Sequence, residues 1–265
     1  NKNIKKEILV INDNSSDNTE KILKSFKNIK IINLKKNKGV GFARNYGAKK
    51  SKYNILCYVD SDLIISKNSI SQLIKRLKRD STVGTVGGIQ KTINLNKKSY
   101  SSNFVCLKSC YGFEDVLNET NFSVIHSEFC VIEKRFLSKI GGWKSYKNAG
   151  GEEFELGERI LNSGKEIILI KEAFYTTYYT DLYTRFKKII DRTEKYLGIL
   201  LKKKYFDSKG SFATKNQASS AIITSILIFF VIIELLFPQE ISFAKISLIL
   251  VAIQLYLEFD FLKYA

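Results

Sequence analysis

The chain has 265 residues, 45% of them apolar, and a formal charge of +17 at neutral pH. That length holds one sizeable α/β domain with extra elements, or two small domains, and the apolar share excludes wholesale disorder. The positive excess suits nucleic acid, acidic lipid headgroups or phosphorylated substrates, although a composition rich in Lys, Asn and Ile, with one Pro and no Met, gives the same charge as a general bias.

Residues 7–12 (EILVIN) predict a β-strand, entered within a few residues of the start. With no Met at the start, a preceding segment is expected. Asn14, Ser15, Ser16 and Asp17 form a turn and helix-cap cluster. Asp17 and Glu20 have capping-box spacing, and Ile22, Leu23 and Phe26 give a helix to about Phe26 an apolar face. A second strand is expected over 29–33, a helix over 40–50, and a strongly apolar strand over 54–59. Residues 66–78 read as a helix with Ile70, Leu73, Ile74 and Leu77 on one face, and a further strand begins at Val83. Alternating strands and helices imply a mostly parallel sheet with helices on both sides.

From about residue 90 to 120 the pattern weakens. Beyond it come a strand over 129–132, a short helix over 134–140, a helix over 152–163 stopped by Gly164, and a strand over 166–170. Residues 181–204 read as a basic amphipathic helix; between 181 and 215 there are ten Lys or Arg against four Asp or Glu. Two apolar runs, 221–237 and 241–259, flank Pro238, Gln239 and Glu240. Their length predicts a transmembrane hairpin; two long buried helices are the alternative, and the charges inside the runs count toward it. Lysines 202–204, 209 and 215 precede the first run, which places the domain before it in the cytoplasm. The expected organisation is an α/β domain over 1–180, a basic interfacial region over 181–219 and a membrane hairpin over 220–265. Cys57 and Cys130 sit in apolar runs and read as small core residues, Cys106 and Cys110 lack the second ligand pair of a zinc site, and all four read as reduced thiols.

Four polar groups could carry chemistry. Asp60 and Asp62 follow a strand at i and i+2, at the edge where parallel sheets bind ligands, and carboxylates suit Mg2+ or Mn2+; a helix-capping turn explains the pair equally well. Asp13 also ends a strand, before a helix start offering free N–H groups. Arg44 could contact a nucleotide or phosphate, or be a solvated helix residue. Glu152 and Glu153 either complement a helix dipole or serve as catalytic base and acceptor contact. His126, the only His, reads as structural, Trp143 as core or a sugar-stacking ring, and Gly87-Gly88 as a close-approach turn.

Taken together the segments resemble family 2 glycosyltransferases over roughly residues 7–175. Val10 to Thr19 (VINDNSSDNT) is similar to their Val-Val-Asp-Asp-Gly-Ser-x-Asp-x-Thr. Asn37-Lys38-Gly39 through Ala43-Arg44-Asn45-Tyr46-Gly47 is similar to Asn-x-Gly followed by Ala-Arg-Asn-x-Gly. Tyr58 to Asp62 resembles the Asp-x-Asp segment, 129–143 the stretch ending Gly-Gly-Phe, with Trp143 in the aromatic slot, and Gly151 to Leu156 the Gly-Glu-Asp-x-Asp-Leu segment.

The resemblance implies a GT-A fold, a nucleotide-diphosphate sugar donor, inversion at the anomeric carbon and Mg2+ or Mn2+. It implies that Asp13 contacts the nucleobase, Arg44 lies near the nucleotide, Asp60 contacts ribose or sugar, Asp62 binds the metal, and Glu153, preceded by Glu152, is the general base. The family has Asp where Glu153 stands, and opens with a strand bearing a Pro-x-x-Asn-like loop that this sequence lacks. The expected function is transfer of a sugar to a glycan or polyprenyl-linked acceptor at the cell membrane, with no nucleic-acid partner. The alternative is a non-catalytic, membrane-associated nucleotide-binding module.

Overall fold

The computed structural model of the protein describes residues 5–91, 99–114, 120–146, 151–177, 179–180, 183–184, 215–237, 244–257, 259 and 263. The basic helix expected over 181–204 lies almost entirely outside them.

Strands β1 (Leu9–Asn12) and β2 (Lys30–Asn33) pair in parallel as a sheet of their own. Between them α1 (Thr19–Leu23) stops short of the expected Phe26. It buries no residue, so nothing tertiary supports another turn. The Asp17 carboxylate accepts from the Thr19 amide at 3.0 Å as a local turn, not as a capping box.

A six-stranded sheet forms the body, from β3 (Ile55–Val59), β4 (Leu63–Ile65), β5 (Val83–Gln90), β6 (Thr120–Asn121), β7 (Phe129–Glu133) and β8 (Glu166–Thr177). Its order is β3-β7-β5-β8-β4, with β6 also beside β8. The mostly parallel sheet read from the sequence is corrected here. Within the body only β5 and β8 run parallel; the β3–β7, β5–β7, β4–β8 and β6–β8 pairs are antiparallel. An apolar run is buried on both faces whichever way its neighbours run, so the run reports burial and not direction.

Alternate residues of the strands fill two cores. On one side Val86, Val131 and Ile168 pack with Leu73 and Leu77 of α3 (Ser69–Arg79). On the other, Cys130, Ile132 and Leu169 pack with Leu156 and Ile160 of α6 (Glu152–Asn162) and with Trp143. The glycines at 87 and 88 lie inside β5, not in a turn: side chains there would meet Leu169 and Phe129 at 2.5 Å. Three further helices are α2 (Val40–Lys50), α4 (Tyr100–Glu114) and α5 (Lys134–Lys139). The second of these has no counterpart in the sequence reading. All four cysteines are free thiols.

At the C-terminal end α7 (Lys215–Leu236) packs against α8 (Ala244–Leu257), and Gln254 donates to the Ser220 hydroxyl at 2.5 Å. Among the described residues no helix is long and apolar enough to cross a membrane. The second helix has 14 residues, about 21 Å of rise against an apolar bilayer core of about 30 Å.

Candidate active site

The site is built at the ends of β1 and β3, on α2, and at the start of α6. After β1, the Asp13 carboxylate accepts from the Lys38 and Gly39 amides, both at 2.8 Å. It thereby shapes the loop that launches α2. Gly39 has φ +86°, and a Cβ there would lie 2.9 Å from the Tyr146 carbonyl, so only glycine fits. Asn12, which stands where the family motif has Asp, is buried and structural: it donates to Asn33 at 2.9 Å and accepts from the Ser15 amide at 3.0 Å.

Arg44 gathers the centre. Its side chain is 9% exposed, with the guanidinium 3.2 Å from Asp60 Oδ1 and 3.8 Å from Glu152 Oε1. It lies over the Trp143 ring at 4.7 Å, and Tyr58 meets that ring edge-on at 5.4 Å. The cation is thus held between two carboxylates and an aromatic face. Trp143 is 2% exposed, which excludes it as a platform for a sugar and makes it core. Asn45 clamps its backbone, donating to the Trp143 carbonyl at 2.7 Å and accepting from the Trp143 amide at 2.8 Å. From the other side Arg159 donates to the Ile140 and Gly142 carbonyls and to Glu155.

The carboxylates differ in setting. Burial pushes the Asp60 carboxyl up, against the pull of Arg44. Asp62 is exposed, and its backbone carbonyl accepts from the Thr177 hydroxyl at 3.1 Å. Glu152 is 2% exposed and faces Arg44. Glu153 is half-buried and accepts from the Ser127 hydroxyl at 3.0 Å. Burial, then the neighbouring Glu152 charge, raises its carboxyl above the ordinary glutamate range.

The sequence reading missed Ser127 and Glu128. Glu128 accepts from the Tyr175 hydroxyl at 2.8 Å, lies 3.4 Å from His126 Nδ1, and offers its backbone carbonyl to the Asp60 amide at 2.9 Å. Burial opposes its ionisation, but the His126 contact and the Tyr175 hydrogen bond outweigh it and pull the carboxyl down to about 2. Two polar residues at the mouth of an apolar strand gave no periodic signal.

Asp60 and Glu152 therefore both face Arg44, with Glu153 beside Glu152 and Asp62 two residues beyond Asp60. Asp13 follows β1 of the smaller sheet, and its tie toward them runs to the loop before α2, through the Lys38 and Gly39 amides. Among the described residues no group of three or more His, Cys, Asp and Glu side chains is disposed to hold a metal ion. Asp62 fits a hard cation as an exposed oxygen donor that would share it with substrate oxygens.

This body, with its acidic rim, is of the GT-A-like α/β class. It superposes on the mannosyltransferase PcManGT of Pyrobaculum calidifontis, solved with GDP-Man and Mn2+, at a TM-score of 0.54 and 15% identity, covering 74% of this chain and 54% of that one. The family model for glycosyl transferase family 2 matches residues 2–141, and the chain belongs to that family. It is 29% identical over 148 residues to the poly-beta-1,6-N-acetyl-D-glucosamine synthase of Staphylococcus epidermidis, and 28% identical over 149 residues to that of Staphylococcus aureus. The matched stretch is 52% of this chain and 35% of the length of each of these relatives.

Proposed function

We propose that the protein transfers a sugar from a nucleotide-diphosphate donor to a glycan or lipid-linked acceptor hydroxyl, with inversion. The likeness to polysaccharide synthases and the matched family motifs support polysaccharide synthesis as the process. The observation that carries the reading is that Asp60 and Glu152 both face Arg44, beside a half-buried Glu153 whose proton affinity is raised. Glu153 takes the acceptor proton as the hydroxyl attacks the anomeric carbon from the face opposite the diphosphate. Asp13 contacts the nucleobase and Asp60 the ribose or sugar, with Arg44 holding Asp60 in place. Asp62 would hold the Mg2+ or Mn2+, which when bound would neutralise charge on the departing diphosphate.

Turnover of UDP- and GDP-linked hexoses and N-acetylhexosamines with Mg2+ or Mn2+ is the test. Glu153→Gln should lower kcat by about 10²–10⁴-fold, and Asp62→Ala should abolish the metal dependence. Turnover untouched by both substitutions refutes catalysis at this rim, and no turnover with any donor leaves the non-catalytic module.

The reading also sets the protein at the cell membrane, the α/β body facing the cytoplasm. Its support is the apolar exterior of α7 and α8: Ile228, Phe229, Leu235, Leu236, Leu248 and Ile249 are all exposed. Sedimentation with the membrane fraction at physiological salt is expected; recovery in the supernatant overturns it.

A further inference from the structure

Resting on the assignment of Glu153 as base, we propose that Ser127 is a positioning residue that aims the base by occupying one oxygen of its carboxylate and leaving the other for the acceptor hydroxyl. The Ser127 hydroxyl donates to Glu153 Oε1 at 3.0 Å, and the serine is only 2% exposed. A glutamate side chain carries one more rotatable bond than an aspartate and needs a fixed partner to reach a single geometry.

The turn carrying Ser127 is itself immobilised from three directions. On one side of Ser127, the Glu128 carbonyl accepts from the Asp60 amide at 2.9 Å and its carboxylate from the Tyr175 hydroxyl at 2.8 Å. On the other, the His126 ring is wedged edge-on between Phe113 and Phe122, with both centroids at 5.5 Å. The third tie runs to α6: the Ile125 amide donates to the Glu153 carbonyl at 3.4 Å. Gly157 permits that approach, because a Cβ there would stand 2.6 Å from the Ser123 carbonyl. Ser127 is therefore locked to both the Asp60 strand end and the base helix. The charged groups acting on the Glu153 carboxylate are Glu152 of the same helix and Arg44 of α2.

The experiment compares Ser127→Ala, Ser127→Thr, Glu153→Gln and the Ser127→Ala/Glu153→Gln double variant, each on the full chain with the donor turned over fastest in the panel. Ser127→Ala should lower kcat by about 10–100-fold with little change in KM. The acid limb of its pH profile should move to higher pH, because the lost donor favoured the ionised base. Ser127→Thr restores the hydroxyl and should recover most of the rate. In the Glu153→Gln background the alanine should cost nothing further. Additive losses, or an unmoved acid limb, overturn the inference. Full activity of Glu153→Gln overturns the base assignment instead, and is told apart by that single variant. A 13C titration of the labelled Glu153 carboxyl gives a readout without turnover: it should titrate at higher pH in Ser127→Ala, and an unchanged curve refutes the contact.

Discussion

Asn45→Ala separates the clamp on Trp143 from every other contact in the site. The substitution removes the side chain that donates to the Trp143 carbonyl at 2.7 Å and accepts from its amide at 2.8 Å. Trp143 is 2% exposed, so both backbone groups are left without a partner away from water. An unsatisfied buried group costs about 1–3 kcal/mol, which puts the total near 3 kcal/mol, against which alanine's better helix propensity in α2 returns only about 0.5 kcal/mol. For a chain of this size about 2–4 °C is lost per kcal/mol, so the midpoint should fall by roughly 5–10 °C. Trp143 is the only tryptophan, so its emission reports the site without interference. Thermal unfolding in neutral detergent, followed by that emission, should show the lower midpoint, and the folded variant should emit further to the red. A midpoint within 1 °C or so of the wild type, with unchanged emission, refutes the clamp.

Three other outcomes follow from the same packing. Arg44→Ala removes the cation 3.2 Å from Asp60 and 3.8 Å from the buried Glu152 carboxylate and should lower the urea midpoint, whereas Arg44→Lys recovers only part because it lacks the planar fork. Gly157→Ala gains about 1 kcal/mol of helix propensity but drives a methyl to 2.6 Å from the Ser123 carbonyl, so its urea midpoint should fall and Glu153 turnover with it. Glu128 titrates from 4.5 when unfolded to about 2 when folded, so it stabilises the fold above pH 4.5 and loses that contribution as pH falls toward 2; Glu128→Gln should flatten this part of the acid-denaturation curve.

The strand and helix positions were largely legible in the sequence, and the relations between them were not. Helix α2 falls at 40–50 as expected, because Gly39 with φ +86° and Ser51 in extended backbone bound it locally. Strand direction was not legible: β7 enters between β3 and β5 from a distant part of the chain, and nothing in Phe129–Glu133 records which way its neighbours run. Helix α4 escaped because its apolar residues make no single stripe; Val105 and Cys106 are buried while Tyr100 and Phe104 face solvent. The acidic residues of the site stood out by motif, each at a strand or helix end. Ser127 and Glu128 did not, since their partners Glu153 and Tyr175 lie 26 and 47 residues away.

The division into two sheets gives α2 the office of a coupling rod. It touches the small sheet where Gly47 lies against Ile11, and the 142–146 segment of the body where Gly41 lies against Lys144 and Asn45 grips Trp143. Two bare positions on one helix let both bodies press on it. A side chain added at Gly41 would drive a Cβ to 2.2 Å from the Lys144 carbonyl and one at Gly47 to 3.3 Å from Ile11, so either would push α2, and Arg44 with it, away from one of the two bodies it joins.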